Sequence, residues 1–239
     1  MENIDKIYYI NLDHRTDRKA EIEQEFASHF GGTILEHRVE RFPAIKHNQG
    51  LFGCSISHLE VIKRAKANCA KYIIVFEDDF KFLVSKEIFA ENINALFQQV
   101  DNGLDFKVIM LAYNAMNRFE VRENAMNRFE VRENAMNRFE VRENAMNRFE
   151  VRENALLDST TDVQTCAGYL VNSKYFDELI QCWEHGVQMY QETGQDWIYC
   201  CDQYWKKLQK EKWYLFKTRI GKQRAGFSDC GQRVIDYNF

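Results

Sequence analysis

The 239 residues are 45% apolar and 28% charged, with a formal net charge of −4. That balance suits an ordinary globular chain, long enough for one large domain or two small ones. It excludes nucleic-acid binding through a basic stripe, and no apolar run approaches the roughly 18 residues of a membrane helix.

In chain order, "KIYYINLD" is a short apolar run ending in polar residues, as a buried parallel strand would be. A helix is expected from about Asp17, with Ile22, Phe26 and Phe30 at i, i+4 and i+8 and a stop at Gly31-Gly32. A loop through "RFPAIKHNQG" follows. In "GCSISHLEVIKRAKANCA" the spacing of Ser57 and Glu60 is that of a capping box, which predicts a helix starting at Ser57 with His58 in its first turn. "KYIIVFEDDF" reads as a strand, Tyr72 to Phe76, running into three acids, and "DFKVIMLAYN" as another strand.

Later, "TCAGYLVN" is a strand and "SKYFDELIQCWEHGVQMYQETG" an amphipathic helix ended by Gly194. "DWIYCCDQYWKKLQKE" predicts one further helix with a stripe of Ile198, Cys201, Trp205 and Leu208, and "WYLFKTR" a late strand. Strands alternating with helices predict an α/β sheet protein.

The seven cysteines include one adjacent pair and no C-x-x-C, and the six histidines show no H-E-x-x-H. The expectation is reduced, mostly buried thiols in a cytosolic protein, without a zinc site or disulfide framework.

Several features could carry chemistry. Glu77, Asp78 and Asp79 close a buried strand, where ligands of open α/β sheets gather. Three adjacent carboxylates call for a positive partner, which a divalent metal with oxygen ligands would supply; a solvated acidic junction is the plainer alternative. Asp202 falls about 40° from Ile198 on the expected helix, at the edge of the apolar stripe. There it is either a structural surface acid or a half-buried one with its pKa raised toward general-base duty. His58, at a helix N-terminus, either faces an anion such as phosphate or is simply packed. Arg15 and Arg18, just past the first strand, are within reach of phosphates, and Asp229 stands in a loop, "GFSD".

Between two of the strands "NAMNRFEVRE" is written four times, from Asn114 to Glu153. As a helix the array forms no stable stripe, because its apolar residues drift by about 80° per copy. As strands, an even period keeps Phe119 and Val121 on one face in every copy. Hairpin-like or solenoid-like strands are expected, with duplication of disordered copies as the alternative.

Taken together, "YYINLDHRTDR", "FGCSISH", "VFEDDF", "CDQYW" and "GFSD", in that order, resemble glycosyltransferase family 25, most of all its members from large DNA viruses. The resemblance implies a single domain over residues 1–239, with the array at 114–153 as an insertion. It implies a GT-A type fold with a central, mostly parallel sheet, a nucleotide-binding first half and an acceptor-binding second half. Asn11, Asp13, Arg15, Arg18 and Ala44 would line the nucleotide pocket, with His58 and Asp78 also on the donor side. Glu77 and Asp79 would hold Mn²⁺ (or Mg²⁺) and Asp202 would be the base. The implied reaction moves galactose or glucose from a UDP-sugar to a hydroxyl of a glycan or protein acceptor, with inversion. A nucleotide-sugar hydrolase, or an inactive transferase fold binding partners through the array, are the competing classes. With no secretion signal or ER-retention tetrapeptide in the sequence, a cytoplasmic setting is expected, host cytoplasm or virion if the protein is viral.

Overall fold

A computed structural model describes residues 1–123, 129–131 and 152–236. The first half runs β1 (Lys6–Asn11), α1 (Thr16–Phe30), β2 (Val39–Pro43), α2 (Gly50–Ala67), β3 (Tyr72–Glu77), β4 (Phe80–Phe82), α3 (Lys86–Asp101) and β5 (Val108–Met110). Then come β6 (Asn114–Ala115), β7 (Phe119–Glu123), β8 (Phe129–Val131), β9 (Arg152–Ser159), β10 (Val163–Gln164) and β11 (Gly168–Asn172). The chain closes with α4 (Phe176–Thr193), α5 (Asp196–Tyr199), α6 (Cys201–Tyr204), β12 (Trp213–Phe216), β13 (Gly221–Gln223), β14 (Gly226–Ser228) and β15 (Arg233–Ile235).

Among the described residues one sheet has the order β2-β1-β3-β11-β5-β12-β9-β7-β8. One strand direction predominates, but the sheet is mixed: β11, β9 and β8 run against the other six. Its central strands are apolar on both faces because helices cover both. Ile7 and Tyr9 of β1 pack with Ile22, Phe26 and Phe30 of α1 and with Phe89 and Ile93 of α3. Tyr8 and Ile10 point the other way, into Leu59 and Ile62 of α2 and Leu179 and Trp183 of α4. The strand-period alternation of one short run thus assigns each residue to one of two cores.

The connection from β1 through α1 leads to β2 on one side, and the connection through α2 leads back across β1 to β3. The carboxyl ends of β1 and β3 therefore lie at a topological switch point, where an open sheet leaves a crevice.

Three local expectations are corrected. "RFP" is no loop but the end of β2, paired in parallel with β1 from Ile7↔Val39 to Asn11↔Pro43. The helix expected at Ser57 begins at Gly50. Ser57 caps nothing: its hydroxyl donates to Gly53 O, one turn back, and accepts from Ile45 N. A serine bonded in this i−4 pattern satisfies its hydroxyl within the helix, so its capping-box spacing with Glu60 is coincidental. The single helix expected over 196–211 is broken into α5, α6 and a 3₁₀ turn, Trp205–Leu208. Cys200 is extended (φ −65°, ψ 158°), which buries it against Phe52 and Tyr190 and lets Cys201 N donate to Ser55 Oγ at 3.0 Å. Ile198 is consequently exposed rather than part of a stripe.

Other boundaries fall where expected. α1 ends at Phe30, and α4 ends on Gly194, whose φ of 70° is the left-handed cap conformation that glycine adopts without strain. Of the array, Phe119–Glu123 of the first copy is a strand, antiparallel both to Phe129–Val131 and to Arg152–Ser159. Asn114–Ala115, at its start, pair with Val163–Gln164, and residues 124–128 and 132–151 lie outside the described residues.

Phe80 anchors the acidic turn from beneath. It is fully buried against Phe76 and Phe82, and two glycines leave room for its ring. A Cβ on Gly221 would meet Phe80 Cζ at 2.1 Å and Lys81 O at 2.7 Å, and one on Gly168 would meet Phe80 Cε2 at 2.6 Å. Gly221→Ala is expected to destabilise the fold by about 1–3 kcal/mol through overpacking, lowering Tm by roughly 3–10 °C in a domain of this size. A thermal melt measures it, and an unchanged Tm would show that the Phe80 ring is free to shift.

Candidate active site

A cavity of ≈ 790 Å³ opens at the switch point. That is an ordinary volume for a small-molecule site. Ile10 and Leu12 come from the end of β1, Ala44 follows β2, and Glu77, Asp78 and Asp79 follow β3. Thr165 and Cys166 stand before β11, and Asp202 lies in α6. Gln223 and the β14–β15 hairpin, including Asp229 and Cys230, complete the wall.

The three acids have separate environments. Asp78 accepts from Asn11 Nδ2 (2.8 Å) and from Arg18 Nη1 (3.0 Å). Burial nevertheless raises its pKa, against the lowering effect of those two partners. Glu77 Oε1 lies 3.1 Å from His58 Nε2, and Oε2 accepts from Gln223 Nε2 at 3.5 Å. Asp79 is the least satisfied. Its Oδ2 is 3.4 Å from Arg18 Nη1, whereas its Oδ1 is buried without a hydrogen-bond partner. Burial, with the charge of Glu77 beside it, pushes the Asp79 carboxyl up to about 8. An orphaned buried carboxylate oxygen next to a second carboxylate is the donor set a hard divalent cation takes, so the residues fit Mn²⁺ or Mg²⁺.

Asp202 stands across the cavity, half-buried, the second of its two sequence alternatives, although on a short broken segment rather than a long helix. Its Oδ1 accepts from the Cys200 thiol (3.2 Å) and its Oδ2 from Thr165 N (3.4 Å). Burial first, and then the charge of Cys201, raise its pKa. The segment is fixed from below by Trp205, fully buried between Trp183 and Trp213, while Trp183 Nε1 donates to Cys201 O. Thr165 has a φ of 79°, a conformation that costs a β-branched residue energy. Such strain is held in place by its surroundings: Thr165 Oγ1 donates to Gln223 Oε1, and Gln223 in turn reaches Glu77.

The remaining sequence candidates divide. Arg18, Ala44 and Asp78 line the cavity with Glu77, Asp79 and Asp202. Asn11 is 1% exposed and stands behind Asp78, held by Arg41 Nε at 3.0 Å. Asp13 faces solvent and pairs with Arg41. Arg15 pairs with Asp17 and Asp229 and donates to Phe227 O, and Arg18 Nη2 donates to the same carbonyl. These two arginines therefore tie the β14–β15 hairpin over the site. His58 is corrected: it lies two turns inside α2, fully buried, not at a helix N-terminus. Its Nδ1 is 2.8 Å from the Tyr169 hydroxyl and its Nε2 faces Glu77. Burial opposes its charge, but the bond to Glu77 and neighbouring negative groups hold its pKa above the ordinary value.

Gln223 and Thr165 were not evident as site residues, because an isolated Gln or Thr carries no spacing signal. Asp229, in the loop expected, gains its partner from Arg15, more than 200 positions away.

Comparison with known proteins adds the family. A protein from STIV (TM-score 0.46, 8% identity, covering 99% of this chain and 95% of that one) follows a loosely similar course. So does mannose-1-phosphate geranyltransferase from Thermus thermophilus (TM-score 0.40, 8% identity, 93% and 74%). At such scores neither informs the site. A protein of Acanthamoeba polyphaga mimivirus, provisionally named a glycosyltransferase, is 28% identical over 141 residues. That match covers 52% of this chain and 42% of the mimivirus protein, so the similarity spans less than half of that relative's length. Residues 48–191, more than half of the chain and including the acidic turn, match the model of glycosyltransferase family 25 (LPS biosynthesis protein), and the chain belongs to that family.

Proposed function

We propose that the protein is a metal-dependent, inverting glycosyltransferase of GT-A type that moves galactose or glucose from a UDP-sugar to a hydroxyl of a glycan or protein acceptor. The observation that carries this reading is the orphaned Asp79 oxygen beside Glu77 on one wall of the cavity, with the raised carboxyl of Asp202 on the other.

Glu77 and Asp79 would hold the cation. Once bound, Mn²⁺ or Mg²⁺ offsets the negative charge that develops on the departing nucleoside diphosphate. The chain's own groups do the rest. Arg18 fixes Asp78 and Asp79 relative to one another, and Asn11 fixes Asp78 from behind. Asp202, kept basic by burial and oriented by Thr165 N, takes the proton of the acceptor hydroxyl as that oxygen attacks the face of the anomeric carbon opposite the leaving group. The β14–β15 hairpin, tied by Arg15 and Arg18, limits water at the donor. Tyr113 and Asn114, where the array begins, lie on the cavity wall, which supports an acceptor-side role for the array.

The test is incubation with a panel of UDP-sugars and Mn²⁺, with and without glycan and peptide acceptors. The expected result is UDP release from UDP-galactose or UDP-glucose that accelerates with one acceptor class. No turnover with any donor overturns the reading, and hydrolysis indifferent to every acceptor replaces it with a hydrolase.

A further inference from the structure

Below the acidic turn the fold gathers a second set of donors. Cys54 and His58 are four residues apart on α2 and therefore share a face. Cys201 approaches from the start of α6, its backbone fixed to Ser55 Oγ. The donor atoms of Cys54, His58 and Cys201 all lie within 4.8 Å of one another. Glu77 Oε1 lies at their edge, 3.1 Å from His58 Nε2 and 3.6 Å from Cys54 Sγ.

The spacing of the two sulfurs suits a tetrahedral ion. With zinc–sulfur bonds of about 2.3 Å and zinc–oxygen bonds of about 2.0 Å, two sulfurs stand about 3.8 Å apart and a sulfur and an oxygen about 3.5 Å. Cys54 Sγ and Cys201 Sγ are 3.9 Å apart, and Cys54 Sγ and Glu77 Oε1 are 3.6 Å apart. The supporting contacts also fit. His58 Nδ1 is hydrogen-bonded to the Tyr169 hydroxyl, which orients the ring and turns Nε2 toward Glu77 and the thiols, and the Cys166 thiol donates to the Cys201 sulfur at 3.7 Å. His58 and Cys201 are buried, and Cys54 and Glu77 reach the cavity, which gives an ion a route in.

We infer that Cys54, His58 and Cys201 form a three-donor binding site for a thiophilic divalent ion of the zinc class, distinct in chemistry from the oxygen site at Asp79. Glu77 stands between the two, its Oε1 beside His58 and Cys54 and its Oε2 held by Gln223. The assignment rests on donor geometry and stands whether or not the transfer reaction does.

The test is titration of chelator-treated, reduced protein with Co²⁺ in the presence of excess Mg²⁺, which occupies oxygen sites. The expected result is about one Co²⁺ per chain, with a thiolate-to-cobalt charge-transfer band and the intense visible absorption of a tetrahedral ion, both displaced by Zn²⁺. Cys201→Ser should remove roughly half of the charge-transfer intensity, since one of two thiolates is lost, and Cys69→Ser, at an exposed thiol outside the site, should leave it intact. A weak octahedral spectrum without a sulfur band, or an unchanged band in folded Cys201→Ser, overturns the site. Should Cys201→Ser fail to fold, zinc-edge X-ray absorption of the wild-type protein decides: sulfur neighbours at about 2.3 Å support the site, and a shell of nitrogen and oxygen alone overturns it.

Discussion

Asp79→Asn is expected to abolish metal-dependent transfer while the chain stays folded. The substitution keeps the shape of the side chain but removes the charge from the one carboxylate in the turn with an oxygen buried and unpartnered. Losing a stabiliser of leaving-group charge costs roughly 10²–10³-fold in turnover by itself, and loss of the cation costs more. Turnover against Mn²⁺ concentration measures it; full activity in the variant would end the assignment of Asp79 as a ligand. The same residue sets a pH dependence. Its carboxyl holds its proton up to about 8 in the folded chain against 3.8 in the unfolded one. The folded state therefore binds the extra proton between those values, and the metal-free protein loses stability as pH rises from about 4 to about 8. Cation affinity moves the opposite way and climbs over that range, because the ion needs the ionised form. Asp79→Asn should reduce both slopes: in chelator its Tm exceeds that of the wild type at pH 8, and the gain shrinks toward pH 4. A wild-type Tm flat across this range would show that Asp79 ionises normally.

Asp202→Asn is the second large effect. It should lower kcat by roughly 10²–10⁴-fold, the usual contribution of a general base, while donor affinity survives. A base must be ionised to work, so the wild-type rate rises with pH through the elevated Asp202 pKa, and that acid limb should vanish in the variant. Donor binding by calorimetry, set beside the pH–rate profile, separates the possible roles. If the variant fails to bind donor, Asp202 holds the nucleotide or the fold rather than the proton.

The motif order in the sequence was enough to place the family, and strand periodicity was enough to place β1, β3, β11 and β12. Period-2 burial and the apolar faces of α1 and α4 are local properties that a single segment displays by itself. The position of the acids after β3 was legible for the same reason, since a buried strand running into three carboxylates forces them to its carboxyl end. Segments whose conformation depends on distant partners were misread. Ser57 looks like a cap until Ile45 N and Gly53 O are seen to use its hydroxyl. The helix expected around Asp202 breaks because Cys200 has a pocket to fill and Cys201 has Ser55 to bond.

The same division holds within the site. Glu77, Asp78 and Asp79 announce themselves by adjacency, but which of them is left unsatisfied depends on Asn11 and Arg18, 60 or more residues earlier. The absence of C-x-x-C argued against a metal held by thiols, because that pattern detects ligands close in sequence. Cys54 and His58 are instead one helical turn apart, and their third partner, Cys201, is 147 residues from Cys54. Hydrophobic period and local charge are written in the order of residues. The company each buried polar atom keeps is set by tertiary packing, because a side chain removed from water must bond to whatever the fold brings within about 3 Å.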